Sequence, residues 1–581
     1  MPMDAKEQIK KTLIEIINDI APFKVEPVLE TPSNPENGDY SSNFAMQALK
    51  QIKTNIKGMY SRQTPLRVGG TNPMGVAEYI KQQYLKTNDK NIKDIQVAKP
   101  GFLNFYLSDK YLFQNLEKVN SEKDEYGKGN LFENRKVMVE FTDPNPLKEF
   151  HIGHLYSNTV GESLARLFEY QKADVWRVCY QGDVGLHVAK ALFGILKRKE
   201  EFEKLENEPL SVRSKFLGET YAVGARAYEA DETAKKEIES LNKKVYEKNS
   251  EIYPIYEKAK KWSLEYFDDI YKKLGTEFKR LYFESEAGEK GLEIVKKHIG
   301  DIFIEDQDSV IFTKEKSGLH TRVFINSQGL PTYEAKELGL APTKYQDFPY
   351  DLSVIVTGNE INEYFKVLLK ALSMIEPELA EKTKHISHGM VRLPSGKMSS
   401  RTGDVVTGEW LLNETERKIK EAYGQMSGEA LTKIAVSAIK YALLKSNIGG
   451  DVTFSFEESI NLNGNSGPYI QYTYVRTQSV LSKAAEKGLE IGKSGPNTEE
   501  EAVLRSLTKF KEVALSAGKT YSPNLVANYL FDLSQRYNLF YQKHKIIGSQ
   551  NQDFRLSLTQ AVGQILKTGL HLLGIETVEE M

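Results

Sequence analysis

Lys136–Phe141 reads KVMVEF, a run with apolar residues on both sides of the pleat, and a strand of that kind is stable when both faces of its sheet are covered. A polar junction, TDPNPLKEFHIGH, follows it. The next segment, LYSNTVGESLARLFEYQ, has helical spacing with Leu155, Leu164, Leu167 and Phe168 on one face. DVWRVCY (Asp174–Tyr180) supplies a second strand and DLSVIVTG (Asp351–Gly358) a later one. Strand, crossover helix and strand in that order predict a doubly wound parallel sheet that takes its ligands at the carboxyl ends of the strands.

The rest of the chain arranges itself around that unit. With 581 residues, one core is not enough and several domains are expected. Residues 1–112 alternate helical and extended patterns, including the turn-rich PSNPENGDYSSNFAM and the half-buried strand VAKPGFLNFYLS, and read as a small α/β domain. NSEKDEYGKGN (Asn120–Asn130) reads as a linker. Residues 130–428 hold the Rossmann-type domain, interrupted between about Lys197 and Tyr282 by a Lys-, Glu- and Tyr-rich helical insertion with solvated faces. From 429 to 581 strand patterns fade and long amphipathic helices take over, so the last domain reads as all-helical. The fold class is multidomain α/β.

A net charge of −2, from 78 basic and 80 acidic residues, selects no class of partner by itself. A lone Cys179 excludes an internal disulfide and a cysteine-rich zinc site, and fits a reducing compartment. No apolar run reaches the roughly 20 residues of a membrane span. The opening MPMDAKEQIKKTLIEIINDI reads as an amphipathic helix and not as a signal peptide. A cytoplasmic protein without membrane contact is the expectation.

Two motifs carry chemistry. His151 and His154 lie three apart where the buried strand gives way to a helix. No carboxylate or third histidine stands at metal-ligand spacing, so no metal site is read here. Burial as a structural pair is the bland alternative. The junction with Gly153, however, offers free backbone N–H groups and a helix dipole suited to phosphate, and neutral imidazoles add N–H donors. LPSGKMSSRTGDVVT (Leu393–Thr407) brackets Lys397, Met398, Ser399, Ser400 and Arg401 with glycines, a loop able to close over polyphosphate charge, although surface loops share that composition.

Together, HIGH after the first strand and KMSS far downstream resemble the motif pair of class I aminoacyl-tRNA synthetases. The flanking segments resemble the arginyl-tRNA synthetase family over nearly the whole chain: GDYSSNFAM and KPGFLNFYLS its N-terminal additional domain, VEFTDPNPLKEFHIGHLYSNTVGESLARLFEY its first Rossmann unit, VCYQGDVGLHVAK the next segment, and GNSGPYIQYTYVR the start of its anticodon-binding helices. The resemblance implies ATP-dependent attachment of L-arginine to tRNA(Arg) through an arginyl-adenylate, with Mg²⁺ on the phosphates and a monomeric enzyme. It implies that His151, Gly153, His154, Lys397, Met398, Ser399 and Ser400 contact ATP, with His151, His154 and Lys397 catalytic. It further implies an arginine pocket of Glu140, Thr142, Asn145, His154, Tyr333, Glu337 and Asn359. Glu337 stands where aspartate is common and Asn359 where glutamine is common.

A guanidinium cannot be deprotonated, so a pocket for it needs fixed carboxylates and gains from an aromatic face. Tyr333 and Glu337, four apart on a presumed helix, share a face, although a core tyrosine is the alternative for Tyr333. In the last domain Tyr469, Tyr472, Tyr474, Arg476, Tyr529, Arg536, Tyr537, Tyr541 and Lys543 interleave aromatics with bases, a pattern suited to stacking unpaired RNA bases; Tyr469, Tyr472, Arg476, Arg536 and Tyr541 are the foremost candidates for tRNA contact, and helix core is the alternative for each tyrosine. The rival readings are a glutamyl or cysteinyl enzyme of the same class and a catalytically silent tRNA-binding copy.

Overall fold

The computed structural model describes residues 4–18, 26–32, 34–55, 72–394, 406–424, 426–485 and 496–581. Contacts divide the chain into two units: Met1–Tyr126 with Glu490–Lys509 and Lys543–Ala561, and Gly127–Leu489 with Phe510–Gln542 and Val562–Met581.

In the first unit, β1 (Tyr40–Ser42), β2 (Ile92–Ala98) and β3 (Phe102–Leu107) form an antiparallel sheet in the order β1-β3-β2. Lys99, Pro100 and Gly101 make the turn between β2 and β3. Phe105, Ile95, Ile9, Leu13 and Tyr84 are buried in its core. The GDY segment acts as a latch here. Asp39 is 4 % exposed; its Oδ2 accepts the Leu107 N–H at 2.8 Å and pairs with the Arg505 guanidinium. Lys509 donates to the Asp39 carbonyl at 2.7 Å with its ammonium 3.8 Å from the Tyr40 ring centre. Helix Thr498–Leu507 is thereby fixed to this sheet.

The second unit is built on five parallel strands: β4 (Lys136–Glu140), β5 (Asp174–Gln181), β6 (Arg280–Phe283), β10 (Leu352–Gly358) and β11 (Thr383–His388), in the order β11-β10-β4-β5-β6. Between β6 and β10 the chain forms an antiparallel meander, β7 (Ile304–Asp306), β8 (Ser309–Phe312) and β9 (Arg322–Ile325). Val137, Met138 and Val139 are wholly buried, as the apolar run requires. Strand order reverses between β4 and β10, so the crevice lies at Glu140 and Gly358.

Helix Ile152–Tyr170 is buried nearly all round, not on one face. Its polar residues are satisfied inside: Ser157 donates to the Val356 carbonyl at 2.9 Å, Ser163 to that of Leu572 at 2.8 Å, and Glu162 pairs with Arg166 and Arg177. The insertion also differs from a set of solvated helices. Leu186–Lys197, Leu210–Ala230, Glu232–Tyr246 and Tyr253–Lys273 enclose a core of their own, with Phe202, Phe216, Ile238 and Trp262 buried. Asp183, just past β5, anchors it by accepting Lys260 Nζ at 2.7 Å, Tyr256 Oη at 3.1 Å and Ser285 Oγ at 2.7 Å. The last part is helical, including Gly428–Leu444, Gly467–Ala485 and Asn524–Lys543, apart from Val452–Thr453, which pairs with Val391–Arg392.

Candidate active site

His151 caps the helix that starts at Ile152. Its Nδ1 accepts the N–H groups of Gly153 at 3.1 Å and His154 at 3.3 Å, and His154 Nδ1 accepts the His151 N–H at 3.2 Å. The rings stack with centres 3.4 Å apart. A Cβ at residue 153 would stand 2.9 Å from the His151 ring, so only glycine lets the ring fold back over the helix end. Burial, reinforced by Lys148, lowers His151 to about 4; burial, reinforced by His151, drives His154 well below its usual value. Both rings are therefore neutral at pH 7. With each Nδ1 used as an acceptor, the ring proton sits on Nε2. The pair becomes two N–H donors that move no proton.

The segment after KMSS is laid against this cap. The Ile152 N–H donates to the Val406 carbonyl at 3.1 Å and the Gly408 N–H to that of Phe150 at 2.7 Å. Lys397, Met398, Ser399, Ser400 and Arg401 lie outside the described residues. Lys148, which sequence reasoning passed over, is a further cation beside the cap. It lies 4.6 Å from the Tyr221 ring centre, forms no ion pair among the described residues, and is lowered to about 8 by burial and then by Lys190. Its place three residues before His151 was the available signal.

Helix Tyr333–Asp347 borders the same strand ends. Tyr333 is 53 % exposed, a rim residue and not a core tyrosine. Glu337 is partly buried and forms no ion pair or hydrogen bond among the described residues. Burial and then the nearby Glu140 push its carboxyl well above the usual range, with Lys344 opposing. Glu140 Oε2 is 2.6 Å from Lys344 Nζ, and Glu284 Oε2 is 2.6 Å from Lys336 Nζ. The buried Tyr180 hydroxyl has no hydrogen-bond partner among the described residues, and burial, followed by the charges of Glu284 and Glu337, pushes it well above its usual value. Sequence reasoning read Tyr180 only as a strand residue.

The remaining candidates divide. Asn145 packs against Gly182, and a Cβ there would meet its Oδ1 at 2.2 Å. Asn359 begins the turn directly after β10. Thr142, 3 % exposed and at φ 83°, turns inward: its N–H donates to Ser157 Oγ at 2.9 Å and its Oγ1 accepts Asn158 Nδ2 at 3.0 Å. Far from this crevice in sequence, the Arg476 guanidinium lies 4.9 Å from the Tyr472 ring centre and 4.7 Å from that of Tyr541, and pairs with Asn538. Asn538 Nδ2 donates to Tyr469 Oη at 2.9 Å. Arg536 is exposed and Tyr537 is core.

Comparison with known proteins identifies the family. Family models match in chain order: an arginyl tRNA synthetase N-terminal domain over residues 3–107, a class I (R) tRNA synthetase catalytic domain over 115–456, and a DALR anticodon binding domain over 470–581. The chain is 31 % identical to an Arginine--tRNA ligase of Phocaeicola vulgatus, covering 100 % of both, and 32 % identical to one of Parabacteroides distasonis, covering 89 % of this chain and 92 % of the other. Its fold matches the Thermus thermophilus arginyl-tRNA synthetase with a TM-score of 0.76 at 21 % identity, over 99 % of this chain and 100 % of that one. The chain belongs to the arginyl-tRNA synthetase family of class I aminoacyl-tRNA synthetases, and its activity is the ATP-dependent joining of arginine to tRNA.

Proposed function

We propose that the crevice between β4 and β10 holds both substrates of adenylate formation. The arginine guanidinium lies against Glu337, with the Tyr333 ring at the rim and Glu140, Asn145 and Asn359 around it. The α-carboxylate then points toward the HIGH cap. There the two Nε2–H donors face the ATP phosphates at the positive end of the helix dipole, the Ile152, Gly153 and His154 N–H groups being used within the cap, and Lys148 and Lys397, Met398, Ser399 and Ser400 of the KMSS motif join them. Thr142 shapes the floor through its bonds to the helix. A carboxylate oxygen attacks the α-phosphorus, pyrophosphate leaves, and a ribose hydroxyl at the tRNA terminus then takes the arginyl group and releases AMP. The His151 and His154 rings contribute fixed dipoles, and positioning does the rest.

One observation carries the pocket: Glu140 and Glu284 each hold a lysine at 2.6 Å, whereas Glu337, on the helix between those lysines, has no ion-pair partner among the described residues. A pocket for glutamate would need the opposite charge. No group of three His, Cys, Asp or Glu side chains suited to a metal occurs among the described residues, so Mg²⁺ would travel on the ATP phosphates, whose charge it would offset. Tyr469, Tyr472, Arg476, Arg536 and Tyr541 would receive the anticodon loop of tRNA(Arg), and residues 1–112 another part of it. A monomer in the cytoplasm is the working state of this reading, with the lone Cys179 buried as in a reducing compartment. The test is charging of total tRNA with each labelled amino acid in turn. Arginine alone should be attached; charging with any other amino acid overturns the pocket assignment, and no charging at all overturns the activity.

A further inference from the structure

Helix Tyr333–Asp347 sends three charged side chains toward the strand ends. Lys336 meets Glu284 and Lys344 meets Glu140, each at 2.6 Å, and all four side chains are at most 5 % exposed. Glu337 sits between the two lysines in sequence, about two helical turns before Lys344 and so on the same face. Removing a buried ion pair in favour of apolar residues is often neutral or stabilising, so packing does not explain why Glu140 and Lys344 are both present. Their place does. Glu140 ends β4 at the switch point, and Lys344 approaches it from the helix that also carries Glu337. The neighbouring Asp143 is otherwise engaged, accepting the Tyr180 N–H at 2.8 Å.

We infer that Lys344 is a positioning residue of the arginine pocket: it cancels Glu140 from behind, leaving Glu337 as the pocket glutamate whose counter-charge the substrate guanidinium supplies. The inference rests on the assignment of this crevice to arginine. It changes the part given to Glu140, from direct ligand to a charge that must be neutralised for the pocket to accept one cation and no more.

The test measures arginine affinity of the full chain by titration calorimetry, with ATP affinity as the control and thermal melts to confirm folding. Glu140→Gln leaves Lys344 as an uncancelled buried cation facing the guanidinium, and arginine should bind about 100-fold more weakly. Adding Lys344→Met restores the net charge, and the double variant should bind arginine at least about tenfold more tightly than Glu140→Gln alone. Glu140→Gln with Lys344→Gln is the second form of the double, for use if the methionine does not pack. Doubles that bind no better than Glu140→Gln would overturn the inference and make Glu140 a direct ligand. Glu337→Gln separates the two layers: unchanged arginine affinity in that variant removes the pocket assignment itself, whereas its loss beside unrescued doubles removes only the role of Lys344.

Discussion

Gly339 sits two residues past Glu337, where helix Tyr333–Asp347 crosses helix Glu284–Lys297. A Cβ there would stand 2.1 Å from the Ala287 carbonyl oxygen and 2.4 Å from the Gly291 nitrogen. Both are backbone atoms, so no change of rotamer can relieve the overlap. The helices would have to part by about 1 Å to reach even a tight contact. Overpacking of that kind costs about 1–3 kcal/mol of stability. The larger effect is on catalysis, because the helix that moves carries Tyr333 and Glu337. A displacement of about 1 Å at a positioning group costs on the order of 100-fold. Gly339→Ala should therefore lower kcat/KM for arginine about 100-fold while the KM for ATP stays near the parent value, since the HIGH cap stands on a different helix. The assay is aminoacylation with arginine and ATP varied separately, alongside calorimetric unfolding. A folded Gly339→Ala enzyme with the parent's KM for arginine would refute the claim that this crossing sets the pocket. Equal losses for arginine and ATP would show a general distortion instead.

Three more expectations follow from named contacts. The folded His151 value near 4 lies below the ordinary 6.5, so the unfolded chain binds more protons between those values. Its contribution to stability is complete above pH 6.5 and falls by about 1.4 kcal/mol per pH unit on acidification toward 4, which urea midpoints measured across that range for the parent and His151→Gln should show. Asp39→Ala leaves the Leu107 N–H without its acceptor and Arg505 with Glu501 as its remaining carboxylate, and should cost about 2 kcal/mol, seen as faster hydrogen exchange in β3 and helix Thr498–Leu507; unchanged protection would contradict the latch. Arg476→Ala should raise the KM for tRNA about tenfold or more and leave arginine affinity untouched, and Arg476→Lys should not rescue it, because a lysine cannot both stack between two rings and bond Asn538. Recovery by lysine would mean that charge alone matters there.

The sequence announced those features whose cause is local. KVMVEF is apolar on both faces because it is the middle strand of a covered sheet, and the turn of strand into helix at HIGH could be read from the same stretch. The one-sided face read for helix Ile152–Tyr170 was incomplete because Ser157, Ser163 and Glu162 look like solvent-facing residues until Val356, Leu572 and Arg177 arrive from elsewhere to bond them, Arg166 joining Glu162 from the same helix. The β7–β9 meander escaped notice for a related reason: its strands are only three or four residues long, too short to show an alternation. GDY was recognisable as a motif, but its latch depends on Arg505 and Lys509, which come from the far end of the chain.

The site shows the same division more sharply, and explains why its charge arrangement escaped a reading by periodicity. Tyr333 and Glu337 could be paired by helical spacing, but Lys336 and Lys344 on that helix look like the basic residues of an exposed face. Their burial makes physical sense only once Glu284 and Glu140 are known to stand opposite, because a lone ammonium would lose far more hydration than packing returns. Spacing within one segment cannot say which of several carboxylates a distant lysine will cancel. That assignment is what decides the chemistry: with both lysines engaged, Glu337 is left for a substrate cation, whereas a lysine engaged with Glu337 would close the pocket to arginine. In the proposed pocket, specificity depends on which carboxylate is left over, and the pairing that leaves it is made by the fold.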